Sequence, residues 1–128
     1  MSRAPVSPHD PAYRNYLRLR IGHAAVECLH ATFVTPDWGY LADDRVAIGV
    51  AGQVEPDLRF LLGRAFDVGA HGILLAHNHP SGSAEPSDAD IALTRRLAAL
   101  TRAVGIELLD HLIVGGGTIV SMKERKLL

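Results

Sequence analysis

The chain has little cysteine, no long apolar run and no surplus of positive charge, and each lack excludes something. The single cysteine, Cys28, cannot form an intramolecular disulfide, so the mark of an oxidising compartment is missing and a reducing cytoplasm is the expected setting. No stretch approaches the ~18 apolar residues of a membrane span. The opening MSRAPVSPHD carries no apolar core of a secretory signal, so a soluble protein without a membrane partner is expected. Thirteen Lys and Arg stand against 14 Asp and Glu, which removes the general electrostatic drive toward a phosphate backbone. DNA stays open as a partner but gains no support from charge. Arg14, Arg18 and Arg20 form one short basic patch and Lys123, Arg125 and Lys126 another, of the kind that ordinarily faces solvent.

What is present fits one domain. A chain of 128 residues can bury roughly two thirds of its unfolded surface without a disulfide or structural metal. Residues 1–11 contain Pro5, Pro8 and Pro11 and little apolar content, which predicts a flexible leader before a domain over 12–128. Tyr13, Tyr16 and Leu17 give a helical stripe over Ala12 to Arg20, closed by Gly22. Ala24 to Val34 reads as a strand buried on both faces, turned at Pro36 to Gly39 into a second strand over Leu41 to Val50, with Asp43 and Asp44 toward solvent. Glu55-Pro56-Asp57 opens a helix whose buried face is Leu58, Leu61, Leu62, Ala65 and Phe66, ended by Gly69. Ile73 to Ala76 is a short apolar run suited to a central strand that ends at His77. A second long helix begins at Pro86-Ser87, buries Leu93, Leu97, Leu100 and Val104, and stops at Gly105. Ile106 to Val114 and Thr118 to Ser121 then form a hairpin about Gly115 to Gly117, and Met122 to Leu128 a last helical turn. This order predicts a three-layer α/β/α fold on a mixed sheet.

Chemistry is concentrated between Ala76 and Asp90. His77 and His79 are two residues apart at a strand end, so extended backbone points both to one side and they can share a metal. The Pro80 to Pro86 loop lets the next helix bring Asp90 back beside them, completing a set of three ligands of the kind catalytic zinc takes. Asp90 has a second explanation: with Ser87 three residues before it, the pair also fits a helix-capping arrangement. Against the cap alone stands its position on the apolar helix face, where a carboxylate needs a partner. Glu27 interrupts an apolar strand and is either an exposed edge residue or a general base. His9, His23, His30 and His71 take the structural default, and Cys28 that of a small core residue facing away from Glu27. His111 fits either an outer hydrogen bond to a metal ligand or a structural role. The triplet His77-Asn78-His79 lacks the ββα context of an HNH nuclease.

His77-x-His79-Pro80, seven intervening residues and then Ser87-x-x-Asp90 are similar to the JAMM signature of the JAB/MPN metalloproteases. HNHPSG from His77 and LDHLIV from Leu109 resemble the RadC branch, and the likeness runs from about Arg14 to the C-terminus. It implies a cytidine-deaminase-like fold and one zinc ion held by His77, His79 and Asp90. It also implies Glu27 as general base and Ser87 as donor to an oxyanion, in hydrolysis of a peptide or isopeptide bond. The helix-hairpin-helix region that precedes this domain in typical RadC proteins is not expected here. The rival expectation is a non-catalytic RadC-type DNA-repair accessory or protein-binding module. A homo-oligomer stays open. Departures from the branch pattern fall at Thr35-Pro36 and Gly49-Val50, outside the proposed metal set.

Overall fold

The computed structural model describes residues 3–48 and 56–128. Its elements are α1 (Pro11–Ile21), β1 (Cys28–Val34), β2 (Tyr40–Ile48), α2 (Leu58–Val68), β3 (Gly72–Asn78), α3 (Asp88–Ala103), β4 (Glu107–Gly115) and β5 (Thr118–Ser121). The five strands form one sheet in the order β2-β1-β3-β4-β5. Only β3 and β4 run parallel, joined by the α3 crossover, so the sheet is mixed. Among the described residues no helix is long and apolar enough to cross a membrane.

Strand alternation sorts the core into two layers. Leu29, Ala31 and Phe33 of β1 and Ile73 and Leu75 of β3 pack on Leu61 and Ala65 of α2 and Leu97 of α3. From the other face Cys28, Ala76, Leu112 and Val114 pack on Leu17 and Ile21 of α1. Residues two apart in a strand share a face, so His77 follows Ile73 and Leu75 toward α3. The fold class is thus the expected α/β/α arrangement. Cys28, fully buried in the α1 layer, is the core residue expected of it.

Several expectations need correction. Strand β1 begins at Cys28, so Glu27 lies just before it rather than inside it. Helix α2 starts one residue after its cap: Asp57 accepts the Phe60 N–H, with Pro56 outside, and Glu55 falls beyond the described residues, as do Gly49 and Val50. Gly69 closes that helix in the left-handed region at φ 72°, a conformation that suits glycine. Phe66, expected in the buried face, is 57 % exposed. The buried face of α3 is Thr94, Leu97 and Thr101, while Leu100 and Val104 are exposed. Leu97 is buried and Leu93 packs against the core as expected, but the rest of the apolar stripe leans off the inner face, where two threonines with hydroxyls bonded within the protein take its place. Met122 to Lys126 form a hydrogen-bonded turn instead of a helix, anchored by the buried Asp110 carboxylate, which accepts from Ser121 Oγ at 2.6 Å and the Lys123 N–H at 3.1 Å. Within residues 1–11, Ala4 accepts the Tyr40 N–H and the Val6 N–H donates to Trp38, with Val6 itself buried.

Asp43 and Asp44 do not simply face solvent. Asp44 pairs with Arg64 Nε at 2.6 Å. Asp43 accepts hydrogen bonds from the Tyr16 and Tyr40 hydroxyls and, at 2.8 Å, from His30 Nε2. His30 is fully buried and its Nδ1 has no partner. A proton there would be an unsatisfied buried donor, so the ring is neutral with its proton on Nε2; burial lowers its pKa against the opposing pull of Asp43. Burial, then the Asp43 contact, pushes both tyrosines up to about 12. For Asp43 itself burial acts upward, but the bonds from Tyr16, Tyr40 and His30 outweigh it and hold the carboxyl below its ordinary range.

A carboxyl whose folded pKa is depressed contributes stability present above its unfolded value of ~3.9 and lost as pH falls through the folded value. Asp43→Asn should therefore lower unfolding stability at neutral pH by about 1–3 kcal/mol, read from urea titrations. The gap to the unsubstituted protein should close below about pH 4. A gap that stays constant down to pH 3 would show that the ionised form is not what the network requires.

Candidate metal centre

His77 is the penultimate residue of β3 and His79 lies two residues on, its N–H bonded to the Val114 carbonyl at 2.9 Å so that the backbone remains extended alongside β4. This carries both rings to one side, and their Nε2 atoms lie 3.0 Å apart. The chain then turns through Pro80 to Pro86 and enters α3 at Ser87, whose hydroxyl accepts the Asp90 N–H while the Asp90 carboxylate accepts the Ser87 N–H. The capping box expected as an alternative is thus formed. It is not the whole role of the carboxylate: Oδ1 lies 3.1 Å from His77 Nε2 and Oδ2 lies 3.0 Å from His79 Nε2. One donor atom from each of His77, His79 and Asp90 lies within 4.8 Å of the others.

Proton accounting decides what this cluster can hold. His79 Nδ1 is 2.8 Å from the Ser83 carbonyl, which only accepts, so Nδ1 carries the proton and Nε2 presents a lone pair. His77 Nδ1 lies 2.8 Å from His111 Nε2, and His111 Nδ1 lies 2.7 Å from Thr94 Oγ1. His111 is fully buried; burial, then neighbouring His77, holds its pKa well below the ordinary histidine range, so it carries one proton. Thr94 donates its own proton to the Asp90 carbonyl at 2.7 Å. It therefore receives the His111 Nδ1–H, leaving His111 Nε2 to accept from His77 Nδ1–H. His77 Nε2 is then a lone pair as well. Two imidazole lone pairs and a carboxylate face one another with no proton among them, an arrangement that a cation satisfies. The Asp90 carboxylate accepts the Ser87 N–H at 2.8 Å, a bond that favours its ionised form, so the third group is an anion. The set fits a divalent metal ion.

Other expected site residues are placed as follows. Ser87 is the exposed N-cap of α3, at the mouth of the cluster. Glu27 is partly buried, immediately before β1, and is not one of the three clustered groups. It is nevertheless held close in the chain sense: Leu29 pairs with His77, and the Asn78 side chain accepts the Cys28 N–H at 2.7 Å and donates to the Val26 carbonyl at 3.0 Å. The buried Asn78 amide thus fixes the backbone on both sides of Glu27. The sequence patterns assign no role of their own to Asn78 or Thr94. The one signal for Thr94 was its position a helical turn after Asp90.

A family model described as RadC-like JAB domain matches residues 8–127. The chain is 37 % identical over 128 residues to a UPF0758 protein of Methylibium petroleiphilum, covering all of this chain and 58 % of that one. It is 40 % identical over 119 residues to a UPF0758 protein of Cellvibrio japonicus, covering 93 % and 52 %. Over 115 residues it is 39 % identical to a UPF0758 protein of Symbiobacterium thermophilum, covering 88 % and 48 %. The chain spans about half the length of the curated relatives it matches.

The loop that carries the Ser83 carbonyl lies against the end of β4. A Cβ on Gly115 would come within 2.4 Å of the Ser83 carbonyl carbon and 2.5 Å of the Ala84 nitrogen. Gly115→Ala must push this backbone away and disturb the acceptor that orients His79. We expect a stability loss of about 1–3 kcal/mol from overpacking and metal affinity weakened about 10-fold or more, measured by competition with a chromophoric chelator. Gly117, where an added Cβ meets nothing within 4 Å, is the control: its alanine variant should bind as the parent does.

Proposed function

This chain belongs to the RadC-like JAB domain family, and from that premise we propose that it is a zinc-dependent hydrolase of peptide or isopeptide bonds. The observation that carries the reading is the convergence of the His77 and His79 Nε2 atoms on the Asp90 carboxylate, at 3.1 and 3.0 Å. Two imidazoles and one carboxylate match the ligand type of hydrolytic zinc sites, which keep a further position open. When bound, such an ion supplies Lewis acidity and makes a water nucleophilic near neutral pH.

The remaining work falls to the chain's own groups. The Glu27 carboxylate takes a proton from the attacking water and delivers it to the leaving amine. Continuing the Leu29 to His77 pairing by two residues brings Glu27 opposite His79, and the Asn78 bonds to Val26 and Cys28 support that register. Ser87 Oγ accepts the Asp90 N–H and keeps its own proton for donation, in this reading to the oxyanion that develops on the scissile carbonyl. The exposure of Ser87 at the mouth of the cluster suits contact with a substrate.

Protein purified without added metal should contain about one zinc per chain by elemental analysis, and His77→Ala or Asp90→Ala should abolish it. Glu27→Gln should keep the metal but reduce cleavage of a fluorescence-quenched panel of peptide and isopeptide substrates by about 10²–10⁴-fold. Ser87→Ala should cost about 10²–10³-fold. Metal content unchanged by both ligand substitutions would sink the proposal. Saturable, salt-sensitive binding of duplex DNA by a metal-free protein would favour a non-catalytic repair module instead.

A further inference from the structure

We infer that Thr94 and His111 form a positioning relay that holds His77 in its metal-binding tautomer and ties the β3 ligand to the helix that carries Asp90. The inference rests on the proposed metal site and goes beyond it. Four contacts close a ring. His77 Nδ1 meets His111 Nε2 at 2.8 Å, His111 Nδ1 meets Thr94 Oγ1 at 2.7 Å, and Thr94 Oγ1 meets the Asp90 carbonyl at 2.7 Å. The Asp90 carboxylate returns to His77 Nε2 at 3.1 Å.

Directionality gives the ring its meaning. A hydroxyl has one proton, and that of Thr94 points back along α3 to a carbonyl that can only accept. Every proton further along is then assigned in turn: His111 donates from Nδ1 and accepts at Nε2, and His77 donates from Nδ1. If the Thr94 proton pointed at His111 instead, the whole chain would reverse. A proton would then lie on His77 Nε2, where the metal has to bind. Thr94 Oγ1 also lies 3.5 Å from Met122 Sδ, a weak acceptor that leaves this choice unaltered. Both relay side chains are completely buried, so water does not offer an alternative partner, and a lost bond in the relay cannot readily be replaced.

A packing role and a relay role predict opposite orders for two conservative variants. Thr94→Val keeps the shape and removes the hydroxyl, whereas Thr94→Ser keeps the hydroxyl and removes a methyl. The relay predicts zinc affinity, measured by chelator competition on folded protein, weakened about 10–100-fold in Thr94→Val and within about threefold of the parent in Thr94→Ser. His111→Phe should lose at least as much as Thr94→Val, and adding Thr94→Val to it should weaken binding little further, since the two act in series. Nitrogen-15 NMR of the zinc-loaded parent should show His77 protonated at Nδ1. Zinc affinity unchanged in Thr94→Val, or equally reduced in Thr94→Ser, would overturn the relay while leaving the metal site intact. A parent protein that binds no zinc would remove both.

Discussion

Lone pairs repel, and two imidazole nitrogens aimed at each other across 3.0 Å beside a carboxylate are tolerable only if positive charge lies among them. Much of the structure around the C-terminal end of β3 can be read as the means of holding that arrangement. Neither histidine is free to turn away or to take the other tautomer. The Ser83 carbonyl claims the Nδ1 proton of His79, and His111 accepts the one on His77. The two claims come from different parts of the fold: a surface loop for one ring, the inner strand β4 for the other. A site whose ligands are oriented by outer hydrogen bonds in this way gives up little conformational freedom when an ion binds.

The loop between His79 and Ser87 owes its course to contacts at both ends. Its middle is pressed onto Gly115, where any side chain would collide with the Ser83 backbone. Beyond, Glu85 forms a two-pronged pair with Arg125, at 2.8 and 2.9 Å, tying the loop to the C-terminal turn that Asp110 anchors. The exposed ion pair by itself contributes little stability. Its geometric effect is larger, because the loop decides where α3 begins and hence where Asp90 lies. On the other side of His77, Asn78 performs a similar service for the segment before β1.

The sequence made the sheet and the gathering of His77, His79 and Asp90 legible because both rest largely on local rules. Alternation and apolar runs mark β1, β3 and β4, and an i, i+2 histidine pair on extended backbone must share a side. The rest depended on partners far away in sequence. Thr94 and Thr101 read as polar, so an apolar count turned α3 toward Leu100 and Val104. The His111 ring, on another element, shows why Thr94 faces inward, and the Ala98 carbonyl a turn back takes the Thr101 hydroxyl. Asp43 reads as a solvent-facing strand residue for the same reason. Its partners Tyr16 and His30 belong to α1 and β1, and nothing local to β2 announces them. Glu27 is the intermediate case: its chemical type is readable, while its relation to the strand start and to Asn78 is not.

Asp90 shows how the fold and the site are made compatible without depending on each other. Through its main-chain N–H and its carboxylate it completes the capping box with Ser87, satisfying orphan donors that any helix start must address. Its carboxylate retains further lone pairs, and these are what face the histidines. The helix start is therefore specified whether or not an ion is present. The same is true of β3, which is locked between β1 and β4 and covered by apolar layers on both faces. In small metal-organised domains the ligands are brought together by the ion, and binding energy is folding energy. Here the aliphatic core and the cap bring the ligands together first, leaving three acceptors in mutual opposition. A bound ion relieves that opposition and so stabilises the folded state by mass action, but the geometry that receives it is already built by packing.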